Sequence, residues 1–329
     1  MNHHLRPSKL AAVIVVISGA LVLLGMAIGS TGFESLLQAR HDSAALRIVC
    51  DIRLPRTLGA WLAGALLGLG GAIAQGLFRN PLADPYLLGS ASGAGLGVAL
   101  LLIVLGLAPL ADSWAVRLGM TGAAFIGAFA AVLLTLTLAR GVQQTLRLLL
   151  AGIVVSMVLG AAISLAMLWV PQIMRAMQAF MLGSTAFISW PAVGLLAATL
   201  VACLLPAISL ARALDALTLG EMTAASLGLP LARARATLIL VLALATGAAV
   251  AQAGLIAFVG LVAPHLARSL ARPMHRAQVL LAALIGGALL LAADILARWV
   301  LAPRELPVGV LTALLGGGYL LWLMRGRTP

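Results

Sequence analysis

Apolar positions in this chain come in long unbroken runs, not in the alternation of half-buried strands or the stripe of a soluble amphipathic helix. Runs near or above about 20 residues can cross a hydrocarbon layer of roughly 30 Å as helix. The pattern predicts ten spans, near 10–30, 54–78, 87–108, 114–139, 147–170, 190–210, 233–252, 257–269, 277–298 and 308–324. The eighth is the shortest, because Gly254 interrupts the apolar run before Ala257. The first run is long and has no clear small-residue cleavage site, so it reads as a span and not as a signal peptide. Alternating segments of the kind that build membrane barrels are missing. The expected fold is therefore an all-α polytopic membrane protein, one transmembrane domain over 1–329.

The polar interruptions between runs carry the rest of the information. The longest late one, from Ala211 to Arg235, reads as a short amphipathic helical pair at a membrane face, with Asp215 and Glu221 early and Arg233 and Arg235 after it. It suits an ordinary loop, and it equally suits a surface on which an external motor pushes. Composition agrees with the class: 63% of the 329 residues are hydrophobic and only 9% charged, with a mean hydropathy of +1.13, far from a soluble surface.

Ten spans place both termini on one side of the membrane. With the N-terminus inside, Arg6, Lys9, Arg79, Arg140, Arg147, Arg212, Arg233, Arg235, Arg268, Arg272, Arg276, Arg325 and Arg327 fall on the cytoplasmic side. Arg40, Arg47, Arg53, Arg56, Arg117, Arg175, Arg298 and Arg304 fall opposite, a bias that follows the positive-inside rule. The net charge of +12 is then mostly topology and not the footprint of a nucleic-acid partner. Lys9 is the only lysine, and a Walker A loop needs a lysine after glycine-rich backbone. The chain cannot be its own P-loop ATPase. Cys50 and Cys203 lack metal or redox spacing, the five histidines are scattered, and no nucleophile–base pair is visible, so neither a metal site nor an enzymatic activity is expected. Gly64, Gly68 and Gly71 share one helical stripe, and Gly89, Gly93 and Gly97 repeat every four residues. Such small residues let membrane helices approach closely.

Several blocks stand together in order. They are Arg53–Gly97 (RLPRTLGAWLAGALLGLGGAIAQGLFRNPLADPYLLGSASGAGLG), Arg147–Gly152 (RLLLAG), Met181–Ser184 (MLGS), Gly220–Pro230 (GEMTAASLGLP), Gly254–Arg268 (GLIAFVGLVAPHLAR) and Glu305–Gly318 (ELPVGVLTALLGGG). This series resembles the FecCD-type permeases of bacterial ABC importers for haem, iron-siderophores and cobalamin, over nearly the whole chain. The resemblance implies the type II ABC importer permease architecture, in the bacterial inner membrane. It also implies a pathway between two copies of the chain, two separate ATP-binding subunits that carry ATP and Mg, and a periplasmic binding protein.

Site roles follow from the same resemblance. Arg53, Arg56 and Arg298 match positions that dock the binding protein, and outward guanidinium groups suit carboxylates; anchoring against lipid headgroups is the plainer alternative. Asp294, one turn before Arg298, would take part of that charge as an intrahelical pair. Asn80 and Leu82 of the proline-bracketed turn Arg79–Pro85, with Thr145 and Leu146, would form a cytoplasmic gate. Glu221, Ala224, Ala225, Leu227 and Gly228 would form the coupling helix, which departs from the pattern of other importers at Met222 and Thr223. The acidic residues lie at or beyond span ends, which speaks against an ion-coupled secondary transporter. Met167, Trp169, Met174, Arg175 and Met177 gather around the outer end of the fifth span. Polarizable methionines suit a large flat apolar cargo and equally suit irregular gaps in a helix core, while Arg175 suits a propionate; on the first reading haem is the expected cargo, with siderophore and cobalamin as alternatives.

Overall fold

The computed structural model describes residues 5–29, 32–33, 43–105, 114–139, 145–220, 224, 226 and 230–325. Helix α1 (Pro7–Ala27) starts behind a proline at its first turn, where the missing N–H costs nothing. It leads into a two-residue antiparallel pair, β1 (Ile28–Gly29) and β2 (Gly32–Phe33). Helix α2 (Ser43–Ile48) passes through a π-type turn, Val49–Arg53, into α3 (Leu54–Phe78). After a 3₁₀ turn at Pro85–Leu88 come α4 (Ser90–Leu105), α5 (Trp114–Leu138) and α6 (Thr145–Trp169). Then follow α7 (Met174–Leu182), α8 (Trp190–Ser209) and α9 (Ala211–Thr218). The chain ends with α10 (Leu231–Ala253), α11 (Val259–Ala271), α12 (His275–Trp299) and α13 (Val308–Arg325).

Each of the ten expected spans has a helix at its place. Among the described residues seven stretches, including the continuous Ser43–Phe78, are long and apolar enough to cross a membrane; α4 and α13 are shorter apolar helices. The thirteen residues of α11 reach only about 20 Å. The break before it is built from Gly254 and Phe258, both at positive φ. The non-helical backbone there is satisfied by protein and not by lipid. Leu255 N–H donates to Phe180 O at 3.1 Å, and Ser184 N–H to Ala253 O at 2.8 Å.

The core is α3, wrapped by α10, α11 and α12. The expected glycine stripe makes this possible. A Cβ on Gly64 would overlap the carbonyl oxygen of Gly286, one on Gly68 that of Ala282, and one on Gly71 that of Gly260. Backbones touch where side chains would otherwise separate them. Gly93 and Gly97 do the same for α4 against α5. Gly89 acts through its conformation instead, ending the 3₁₀ turn in the left-handed region.

The ends of the helices define two faces. The near face holds the start of α1, the ends of α3 and α11, and the start of α12; Leu5 N–H donates there to Leu270 O at 3.1 Å. The far face holds the end of α1, the start of α3 and the end of α12.

Candidate functional site

At the far face α1 ends with carbonyl groups that no further helical turn can pair, and with no basic residue in its last turn. Those carbonyls carry the negative end of the helix dipole. Two other helices supply the missing cations. Arg298 of α12 donates from Nη1 to Gly25 O at 3.0 Å and Ile28 O at 3.3 Å. Arg53, at the π-type turn, donates to Met26 O and Ala27 O at 3.4 Å each. Asp294 lies beneath them with 0% of its surface exposed. It accepts from Arg298 Nη2 one helical turn away, from Arg56 Nε and Nη2 at 3.1 and 3.0 Å, and from Thr185 Oγ1 at 2.5 Å. Arg56 Nη1 completes the cluster, 2.9 Å from each Glu305 carboxylate oxygen.

This geometry corrects two readings of the sequence. Arg298, 1% exposed, points into the protein and is not presented to a docking partner; Arg53 is likewise buried against α1, and Arg56, 8% exposed, is buried between Asp294 and Glu305. The expected Asp294–Arg298 pair is present, yet Asp294 sits inside α12 and not beyond its end. Its charge is matched by guanidinium groups on two sides, as a buried carboxylate requires. Sequence reasoning missed Glu305 and Thr185 as members of the cluster. Glu305 did stand in a recognised block, but nothing in the spacing ties it to Arg56, 249 positions away.

The near face is built differently. Arg79 ends α3 in the left-handed region, and Asn80 Oδ1 accepts Leu82 N–H at 2.9 Å to fix the turn. Asp84 caps the 3₁₀ turn through Tyr86 N–H at 2.8 Å. Burial pushes the Asp84 carboxyl above its ordinary range, against the lowering effect of that hydrogen bond. Asn80 is exposed, as are Leu82 and Leu146, at 56% and 69%. The side chain of Thr145 lies outside the described residues. One further group is placed by α9. Asp215 Oδ1 accepts from His275 Nδ1 at 2.6 Å and from His275 N–H at 3.1 Å, so it caps α12 from another helix. Ala224 is fully buried, while Glu221, Ala225, Leu227 and Gly228 lie outside the described residues.

Of the five residues placed around the fifth span, Trp169, Met174 and Arg175 are exposed and Met167 is half-buried. Met177 is corrected: it is fully buried, packed in a cluster with Ile163, Ile173 and Val250, and lines no path. The amphipathic α7 turns that residue inward. Among the described residues no group of three His, Cys, Asp or Glu side chains could hold a metal ion.

Known proteins share this arrangement of helices. A chain described as a metal-chelate type ABC transporter in an inward-facing conformation superposes with a TM-score of 0.86 at 27% identity, covering 97% of this chain and 99% of its own. PsaBC from Streptococcus pneumoniae, in complex with Fab, has the same fold at a TM-score of 0.59 and 17% identity, over 88% and 95% of the two chains. The hemin transport system permease protein HmuU of Yersinia pestis is 40% identical across 98% of this chain and 97% of its own length. The vitamin B12 import system permease protein BtuC of Escherichia coli O157:H7 is 41% identical across 84% and 83%. The profile of the FecCD transport family matches residues 10–326, and the chain, a multi-pass membrane protein, belongs to that family of ABC transporter permease subunits.

Proposed function

We propose that this chain is the membrane-spanning subunit of a binding-protein-dependent importer that moves haem inward across the bacterial inner membrane. The near face is then cytoplasmic, with both termini on that side. Two copies flank one pathway, two ATP-binding subunits carry the ATP and Mg, and a periplasmic binding protein delivers cargo to the far face. The observation that carries the cargo is the 40% identity, over nearly the full length of both chains, with a permease named for hemin transport.

Each step of alternating access has residues suited to it. The segment 211–235, with Glu221, Ala224, Ala225, Leu227 and Gly228, lies within the single transmembrane domain and receives the push of the ATPase as a coupling helix. Asp215 hands that push to α12 through His275. Asn80, Leu82, Thr145 and Leu146 close the pathway on the cytoplasmic side. Exposed leucines at a polar face, as Leu82 and Leu146 are, support a contact with the second copy. Met167, Trp169, Met174 and Arg175 line the outer half of the path, where soft sulfur and one guanidinium suit a flat ring with carboxylates. A cobalt or iron chelate is the second reading, favoured by the 41% identity with a vitamin B12 permease.

The test is haem uptake into liposomes that contain this chain, its ATPase and its loaded binding protein. Uptake that requires ATP is the expected result. ATPase activity without haem entry, together with entry of a ferric siderophore or cobalamin, would replace the cargo and keep the architecture.

A further inference from the structure

Three helix ends meet at one corner of the near face. Leu5 N–H donates to Leu270 O at 3.1 Å, which fastens the start of α1 to the end of α11. Leu10 and Ile14 of α1 pack in one cluster with Ala267 and Ala271 of α11 and with Leu281 and Ile285 of α12. Arg6 and Lys9 stand at the start of α1, Arg272 ends α11 in the left-handed region, and Arg276 lies in the first turn of α12. All four are exposed. Arg268, one turn before Arg272, turns inward instead and donates to Gln75 Oε1. We infer that these four cations form a site for an anionic phospholipid whose headgroup carries two phosphates. The inference needs the chain to lie in a membrane and does not depend on the cargo.

The corner holds positive charge that the protein does not balance. At the far face each arginine of the cluster is met by a carboxylate or a helix carbonyl. Among the described residues no carboxylate forms an ion pair with Arg6, Lys9, Arg272 or Arg276. The near-face carboxylates that are described are committed elsewhere, Asp215 to His275 and Asp84 to Tyr86 N–H. Like charges gathered in this way repel, and a bound anion relieves the repulsion. The start of α1 adds backbone donors. Arg6 supplies no side-chain cap, and the first helical bond runs from Leu10 N–H to Arg6 O. The N–H groups of Ser8 and Lys9 precede it and are open to a phosphate.

The surroundings favour a lipid over a soluble anion. Lys9 is followed at successive turns of α1 by the exposed Val13 and Ile17, and Arg276 is followed one turn into α12 by the exposed Leu280. Leu270, two positions before Arg272, is exposed too. Cations at the rim with aliphatic side chains deeper on the same helix repeat the polarity of a phospholipid, phosphate outside and acyl chains within. A basic cluster where spans meet at the membrane edge suits such a headgroup. The cations also come from two separate segments, α1 and the connection between α11 and α12. Two linked phosphates can engage both segments at once, and one phosphate cannot balance four charges.

Lys9 is the only lysine, so its acetylation reports on one side chain at this corner. The complete chain is placed in nanodiscs of neutral phosphatidylcholine, and Lys9 acetylation is followed by mass spectrometry as cardiolipin, which carries two phosphates, is titrated in. Cardiolipin is expected to slow the reaction, and phosphatidylglycerol at equal phosphate content to slow it less. Inorganic diphosphate in the buffer should give no protection. Arg272→Gln and Arg276→Gln should each raise the cardiolipin needed for half-protection about 5-fold, although both lie outside α1. Arg147→Gln, at the start of α6, should leave the protection as in the parent. Labelling that ignores cardiolipin would overturn the inference. Equal protection by phosphatidylglycerol, or an equal loss in Arg147→Gln, would reduce the site to general surface charge and overturn it. Protection by diphosphate would overturn the lipid as its occupant, and protection insensitive to both Arg272→Gln and Arg276→Gln would overturn the shared site.

Discussion

The two faces of the molecule solve the same problem with opposite chemistry. At the near face the N-terminus of α12 has no capping side chain of its own, and Asp215 comes from α9 to accept its first N–H. At the far face the C-terminus of α1 has no cation of its own, and Arg298 and Arg53 come from α12 and the turn before α3 to donate to its carbonyls. Each charge sits where the helix dipole favours it. Burial separates them. The Asp215 side chain is 39% exposed beside His275, so water shares its charge. Asp294 and Arg298 have no water, and each depends wholly on the other members of the cluster. One face can therefore be perturbed gently, and the other cannot.

Asp294→Ala should break the comparison most severely. It leaves Arg56 and Arg298 buried with no carboxylate between them, a loss of about 3–5 kcal/mol for a broken buried pair. Little folded protein should survive detergent extraction. Asp294→Asn keeps the hydrogen-bonding shape and should recover only part of the yield. Normal yield and melting temperature for both variants would mean that the far cluster is not the buried network described above. Asp215→Ala removes a cap from a more exposed site, with an expected cost of about 1 kcal/mol. Thermal unfolding in detergent should show a drop of a few degrees, while Asp215→Asn stays close to the parent. A drop as large as that of Asp294→Ala would erase the distinction between the faces.

The smallest effect is expected at Asp84, on the near face but poorly hydrated. Its carboxyl is raised above the ordinary value of 3.8. Between that value and the raised one, the folded chain holds more protons than the unfolded chain, so stability falls as pH climbs through the window. Asp84→Asn keeps an oxygen for Tyr86 N–H and removes the charge. It should raise the melting temperature by ~1–2 °C at neutral pH and leave it unchanged below about pH 3, where the carboxyl is protonated in both states. A gain of equal size at both pH values would assign the effect to something other than the carboxyl charge.

The spans were legible because a bilayer demands length and apolarity, and both are local properties of sequence. Even the short α11 announced itself through Gly254, which sits at φ 68°. The glycine stripe on α3 was legible for the same reason, since Gly64, Gly68 and Gly71 fall on one side of a helix whatever they touch. Arginine was not. Spacing placed Arg53, Arg56 and Arg298 at one face, but their direction depends on the carbonyls of α1 and on Glu305, which only the folded chain brings near. Met177 failed in the same way: a nine-residue helix has an inner side that its sequence neighbours do not reveal.

Helix α12 is the member tied by charge at both of its ends, to Asp215 through His275 and to α1 and α3 through Arg298 and Asp294. Its 25 residues make a rod of about 37 Å, and a hydrogen-bonded helix resists compression along its axis far more than loops resist bending. A displacement of α9 that keeps the 2.6 Å bond to His275 carries the rod with it. In mechanical terms α12 is a strut held at both faces.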